Sequence, residues 1–133
     1  MNRMAFLPAL LTGAVLILGA APATCAEPGS LDGKRFDGVF IERGKTKGEA
    51  DVLSFKDGRF RSTACDRYGY SDAPYQSRSE GDAIAFEAQT ESAQYGRLVW
   101  KGVIRNGKLD ATATMLRPGK PAVENWVVAG SRS

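Results

Sequence analysis

Residues 97–115 read R-L-V-W-K-G-V-I-R-N-G-K-L-D-A-T-A-T-M, and this stretch decides the fold. Asn106-Gly107 lies at its centre, and this dipeptide readily adopts the positive φ angles of a tight β-hairpin turn. After the turn, leucine and alanine alternate with aspartate and threonine, which is the pattern of a strand with one dry face. The stretch therefore predicts two antiparallel strands, 97–105 and 108–115.

The same pattern continues towards both ends of the chain. Short runs are separated by turn residues such as Asp57-Gly58 and Gly81-Asp82, and none has helical spacing over three turns. Eight runs joined in this way predict an all-β protein, an antiparallel up-and-down barrel of eight strands, because closure leaves no exposed strand edge. The six further predicted strands are 35–42, 49–55, 59–64, 75–79, 83–90 and 122–129.

The dry faces of these runs predict the barrel interior. An eight-stranded barrel is just wide enough to be filled by its own side chains or to hold one small ligand. The large rings favour a filled interior, and the small residues leave a narrow cavity as the alternative. Trp126 is also predicted to lie in the core. The principal interior residues are Phe60, Phe86, Trp100, Ala111 and Ala113.

The N-terminal segment has the layout of a secretory signal peptide. Arg3 precedes an apolar run that gives way to small residues. Cleavage is predicted after Ala26, with Ala23 as the alternative. We therefore expect a signal peptide at 1–26, a flexible leader at 27–33 and one barrel domain at 34–133. The mature protein is expected in the periplasm or outside the cell, without a transmembrane segment.

Composition excludes several classes of chemistry. The 107 residues after the predicted cleavage carry 17 basic and 15 acidic side chains, and the two signs are interspersed. Nucleic-acid binding is not expected, since it needs clustered positive charge. The chain has no histidine, which excludes Ser-His-Asp and Cys-His hydrolysis and histidine-ligated metal or haem. The sequence predicts a protein that is not an enzyme and has no catalytic residue, metal or cofactor.

The segment 62–75 reads S-T-A-C-D-R-Y-G-Y-S-D-A-P-Y, and its part from Cys65 to Tyr75 is the predicted binding loop. It combines three phenols with a glycine that permits a sharp bend, and adaptable aromatic loops on a rigid scaffold are common recognition surfaces. The alternative is that the tyrosines only pack over the barrel mouth as a lid. The predicted binding residues are Cys65, Asp66, Arg67, Tyr68, Tyr70 and Tyr75.

Cys65 has three interpretations. A buried, inert thiol is the preferred one, because free cysteines are among the most buried residues. A reactive or intermolecular thiol is the second, because Arg67 lies close in sequence and could lower the thiol pKa. In that case a Cys65-linked dimer would replace the expected monomer. A disulfide to Cys25 is the third, and it requires cleavage after Ala23.

Gly33-Lys34-Arg35-Phe36, eight antiparallel strands and Arg132 just past the last strand are similar to the lipocalin-like (calycin) group of barrels. In that group the motif is usually G-x-W. The resemblance implies that the aromatic residue plugs the barrel floor and that the basic side chain covers it. The stretch 60–75, together with W-K-G at 100–102, also resembles a set of small secreted bacterial proteins of unassigned function, and this likeness implies no activity.

Three functional hypotheses follow. The first is a non-catalytic exported barrel that binds a small apolar or amphipathic ligand through its mouth and the Cys65–Tyr75 loop. The second is a protein-binding module, such as an inhibitor of a secreted hydrolase, that uses the same loop as a wedge. The third is a thiol-dependent redox protein that uses Cys65.

Overall fold

The computed structural model describes residues 30–132, which form a closed antiparallel barrel of eight strands in sequence order. The predicted eight-stranded barrel is confirmed. The predicted signal peptide, both cleavage sites and Cys25 lie outside the described residues. The strands are β1 (Arg35–Glu42), β2 (Glu49–Lys56), β3 (Arg59–Ser62), β4 (Ala73–Glu80), β5 (Ala83–Ser92), β6 (Gly96–Arg105), β7 (Lys108–Leu116) and β8 (Val123–Ser131).

Turn chemistry places the strand ends close to the predicted positions. Asp57 and Asn106 have φ of 52°, and each is followed by a glycine with φ of 73°. Two successive positive φ angles match the right-handed twist of the flanking strands, so these hairpins are tight. The largest difference follows β3, which ends at Ser62. The residues beyond it form a short 3₁₀ helix, Thr63–Tyr68, that the sequence did not predict.

The barrel closes between β1 and β8, where the two backbones approach very closely. Val39 is paired with Val128, and Gly38 is paired with Ala129. A Cβ atom on Gly38 would lie 2.1 Å from the carbonyl oxygen of Val128. Only glycine fits at this position without separating the two strands.

Aromatic rings fill one half of the barrel. The Phe55 ring is central, with ring centroids 6.2 Å from Phe36, 5.3 Å from Phe60, 4.9 Å from Tyr75 and 5.0 Å from Phe86. Most of these pairs meet edge to face, the arrangement that aromatic quadrupoles favour. The five predicted interior residues are all buried, at 0–7% exposure.

Gly102 explains how the Phe86 ring fits. The two residues are paired across β5 and β6, and a Cβ atom on Gly102 would lie 2.3 Å from Phe86 Cε1. The ring therefore occupies the space that a side chain at 102 would need.

The turn before β1 is packed against the barrel. Leu31 is fully buried, and its backbone N–H donates to Tyr75 Oη at 3.0 Å. Tyr75 Oη donates to Asp32 Oδ1 at 2.7 Å, and Gly58 N–H donates to the same oxygen at 3.0 Å. Residues 30–33, the described part of the predicted flexible leader, are thus held against the barrel by tertiary contacts. Such contacts cannot be predicted from the sequence of these four residues.

The two ends of the barrel differ. Three short hairpins, the Leu31 turn and the buried Phe36 lie at one end, which we call the hairpin end. Arg132, just past β8, forms an ion pair with Asp37 at 3.4 Å near this end. The connections 43–48, 63–72, 93–95 and 117–122 lie at the other, which we call the open end.

The two tryptophans have different environments. Trp100 is fully buried, whereas Trp126 lies on the outer face of β8 with 46% exposure. The core prediction for Trp126 is wrong because Asn125 and Val127 are the residues of this strand that point inward.

Among residues 30–132, no helix is long and apolar enough to cross a membrane.

Candidate ligand-binding site

A cup of about 460 Å³ lies at the open end of the barrel. Its apolar wall includes Phe40, Leu98 and Met115. Trp100 lies beneath, with its ring centroid 6.0 Å from that of Phe40, and separates the cup from the filled half. The prediction of a filled interior therefore describes the hairpin half, while the open half retains a cavity.

One side of the cup is formed by the 3₁₀ helix in place of sheet. β3 and β4 pair through only two residue pairs, Arg59 with Pro74 and Phe60 with Ala73. Towards the open end the two strands separate, and the helix packs against β2. Gly69, with φ of 78°, ends the helix and turns the chain back towards the barrel.

Asp51 on β2 holds the start of this helix. Its side chain is 2% exposed and accepts hydrogen bonds from Ser62 Oγ at 2.7 Å, Thr63 Oγ1 at 3.3 Å and Ala64 N–H at 3.0 Å. A carboxylate that satisfies the first free N–H groups of a helix acts as an N-terminal cap. Here the cap comes from a neighbouring strand, so the helix is tied to the barrel wall.

Two tyrosines of the predicted loop line the cup. Tyr70 is 5% exposed, and its hydroxyl donates to the carbonyl oxygen of Tyr95 at 3.3 Å. Burial raises the pKa of the Tyr70 phenol. Tyr68 lies at the rim, donates to Glu49 at 3.3 Å and meets the Tyr95 ring edge to face at 5.5 Å.

The other predicted loop residues lie away from the cup. Asp66 pairs with Arg61 at 2.6 Å, and Arg67 pairs with Glu49 and lies over the Tyr68 ring at 5.0 Å. Tyr75 lies on β4 and is 3% exposed, with its hydroxyl in the Asp32 network at the hairpin end. Burial and the hydrogen bond to Asp32 raise its pKa to about 12. Tyr75 therefore lies at the hairpin end and, unlike Tyr68 and Tyr70, does not line the cup.

Cys65 lines the cup from the 3₁₀ helix but is only 5% exposed. Its Sγ lies 3.3 Å from Ser62 Oγ. Burial raises the pKa of the thiol to about 12, and the negative charge of Asp51 acts in the same direction. The expected lowering by Arg67 is absent, because that guanidinium pairs with Glu49.

We expect Cys65 to react slowly with iodoacetamide in the native protein. The thiolate is the reactive form, and a rise of the pKa from 9 to about 12 reduces its population about a thousandfold at mildly alkaline pH. Native protein and the urea-unfolded chain would be alkylated in parallel and followed by intact mass. Equal rates in the two samples would contradict the buried, protonated thiol.

The rim of the cup has more positive than negative charge left unpaired. Glu42 pairs with Lys45 at 2.9 Å, and Glu49 pairs with Arg67. Lys47 and Arg117 also line the cup, and neither forms an ion pair within residues 30–132. These two cations are available to an anionic group at the mouth.

Asn125 places a polar group inside the cup. Its side chain is 3% exposed, and its Nδ2 donates to the carbonyl oxygen of Ala113 at 3.0 Å. The Oδ1 atom accepts no hydrogen bond within residues 30–132. Among the described residues, every side-chain N or O atom that is fully buried has a hydrogen-bond partner. Because Asn125 Oδ1 has no such partner, it is not fully buried, and it is accessible from the cavity.

Several residues of the site were not found from the sequence, among them its polar and unpaired charged members Asp51, Asn125, Lys47 and Arg117. Asp51 and Asn125 are polar residues at inward positions of β2 and β8, in phase with Leu53 and Val127. A polar residue in a dry phase is a signal that could have found them. Lys47 and Arg117 lie in the connections between strands. The sequence shows that these residues are charged, but it does not show whether they form ion pairs.

Among residues 30–132, no group of three or more cysteine, aspartate and glutamate side chains is placed to hold a metal ion. Comparison of the chain with protein-family models, with curated proteins and with solved structures gives no match.

Proposed function

We propose that the protein is a non-catalytic exported barrel that binds one small amphipathic molecule in the cup. The cup itself carries the proposal. Its volume of about 460 Å³ falls in the range of roughly 300 to 1,000 Å³ that small-molecule sites occupy. Apolar walls below a charged rim suit a molecule with one apolar and one polar part.

We further propose where the protein works, which group of barrels it belongs with and that it acts as a monomer. Residues 1–26 act as a signal peptide, which is supported by Arg3 and the apolar run after it, and the mature protein works in the periplasm or outside the cell. The barrel belongs with the lipocalin-like group, which is supported by its up-and-down strand order. The mature protein is a monomer without a cofactor and does not bind nucleic acid.

The two alternative functions receive less support from the geometry. A redox role for Cys65 needs an accessible thiolate, and burial raises the pKa of this thiol to about 12. A wedge-like inhibitory loop needs free side chains, and Asp66 and Arg67 are paired with Arg61 and Glu49.

Filling the cup is expected to abolish binding of a neutral dye such as Nile red. In Met115→Trp the indole would project into the cavity, because Met115 lines the cup and packs against the core. We expect at least a tenfold loss of dye affinity, measured by fluorescence titration, since the added ring removes space that the dye needs.

Leu116→Trp is the matched control. Leu116 is the next residue of β7, is 42% exposed and does not line the cup. This variant should bind the dye as the unmodified protein does. Saturable dye binding that survives Met115→Trp would refute the cup as the binding site, and an unmodified protein that binds no dye would refute the proposed function.

A further inference from the structure

The charged rim and the buried amide of the cup together indicate the chemistry of its ligand. We propose that the cup binds an aromatic carboxylate with a hydroxyl group at its far end. The carboxylate lies at Lys47 and Arg117, and the hydroxyl donates to Asn125 Oδ1. This inference rests on the proposed function and specifies the ligand class of the same site.

The rim selects the anionic end. Both acidic residues that line the cup are already neutralised, Glu42 by Lys45 and Glu49 by Arg67. Lys47 and Arg117 therefore leave a net positive field at the mouth. A carboxylate suits this field because its hydrogen bonds with ammonium and guanidinium groups are charge-assisted and stronger than neutral ones.

The interior selects the other end. Asn125 Oδ1 is an acceptor in a largely apolar cavity, and it lacks a donor within the described residues. A saturated hydrocarbon tail pressed against it would exclude water without replacing its hydrogen bond, which weakens binding. A hydroxyl group at the inner end supplies the missing donor. This acceptor thus discriminates against a simple fatty acid.

The spacing of the two ends suits a ring with a short aliphatic arm. Asn125 is paired with Ala113, and Arg117 follows Ala113 by four residues along the chain. At about 3.3 Å per residue, their Cα atoms are separated by roughly 13 Å along the strand direction, and the long arginine side chain can shorten this span.

The cup wall between these ends favours an aromatic ring. Phe40, Tyr70 and Tyr95 contribute aromatic side chains, and Met115 contributes a thioether. Rings pack edge to face against other rings, and methionine sulfur makes favourable contacts with ring edges.

The test uses three matched probes on the unmodified protein, so folding of a variant does not limit it. Para-hydroxyphenylpropanoate, phenylpropanoate and para-hydroxyphenylpropanamide would each be titrated against the Nile red complex at neutral pH. We expect the first to bind about tenfold more tightly than phenylpropanoate, which lacks the hydroxyl. We also expect about a tenfold advantage over the neutral amide.

Variants assign each advantage to its residues. Asn125→Leu should reduce the ratio between the hydroxylated and plain carboxylates to about one. The double variant Lys47→Gln/Arg117→Gln should abolish the preference for carboxylate over amide. Lys101→Gln, on the outer face of β6, removes one positive charge without touching the cup and should leave both ratios unchanged.

The outcomes separate the two levels of the proposal. If Nile red binds in the cup but no carboxylate displaces it, the ligand class is overturned and the binding function stands. Equal affinity of the two carboxylates would overturn the role of Asn125. Equal affinity of carboxylate and amide would overturn the role of the rim cations. Absence of binding by the dye and all three probes would overturn both levels.

Discussion

Replacing Trp100 with alanine is expected to lower the free energy of unfolding by about 3 to 5 kcal/mol. The indole is fully buried, its ring centroid lies 4.8 Å from that of Phe60, and its Nε1 donates to Thr90 Oγ1 at 3.0 Å. Truncation would leave a cavity beneath the cup and remove the donor of Thr90. Urea denaturation followed by far-ultraviolet circular dichroism measures the loss.

Trp126→Ala provides a control with the same change in side-chain volume. Trp126 is 46% exposed, and its contacts are a hydrogen bond to Glu124 at 3.1 Å and Arg43 at 5.9 Å from the ring centroid. Exposed contacts of this kind stabilise by about 1 kcal/mol or less. Equal destabilisation by the two substitutions would contradict the inward and outward phases assigned to β6 and β8.

The strand order was predictable because the residues of the tight turns determine which consecutive strands form hairpins. Asn106-Gly107 and Asp57-Gly58 demand positive φ, and the structure has it at all four residues. The alternation on β7 likewise separates the buried Ala111 from its polar neighbours. Each of these signals lies within a few residues, so no tertiary information is needed to interpret them.

The 3₁₀ helix was not predictable by such local signals. A strand was expected to continue to residue 64, because Ala64 follows Phe60 and Ser62 in an inward phase. The structure ends β3 at Ser62 because Asp51, from β2, captures the N–H of Ala64. A cap that comes from 13 residues upstream is a tertiary contact, and tertiary contacts routinely override local propensity.

The candidate site was predicted only in part, because tertiary contacts decide which residues of the loop reach the cup. The aromatic loop predicted at Cys65–Tyr75 does reach the cup through Cys65, Tyr68 and Tyr70. Tyr75 belongs to the hairpin end because Asp32 and Leu31, far away in sequence, bind its hydroxyl. Local clustering of phenols indicates a surface feature, but strand register decides which end of the barrel each phenol reaches.

Asp51→Ala is expected to lower the free energy of unfolding by about 2 to 4 kcal/mol, because a buried amide and a buried hydroxyl lose their acceptor. The Ala64 N–H and the Ser62 hydroxyl bond to Asp51 in a site that is 2% exposed. The free energy would be measured by urea denaturation. Asp51→Asn retains an acceptor oxygen and should recover part of the loss.

Loosening of the 3₁₀ helix should also affect the cup, since Ala64 and Cys65 line it. In Asp51→Ala we expect iodoacetamide to alkylate Cys65 at least tenfold faster and Nile red to bind more weakly, because the Ala64 N–H at the start of the helix loses its acceptor. Asp37→Ala is the control. The Asp37 carboxylate is 49% exposed and forms an ion pair with Arg132 at 3.4 Å. An exposed ion pair of this kind contributes less than about 1 kcal/mol to the free energy of unfolding. If both variants leave the thiol protected and the dye affinity unchanged, Asp51 does not hold the helix, and the wall of the cup has another source of order.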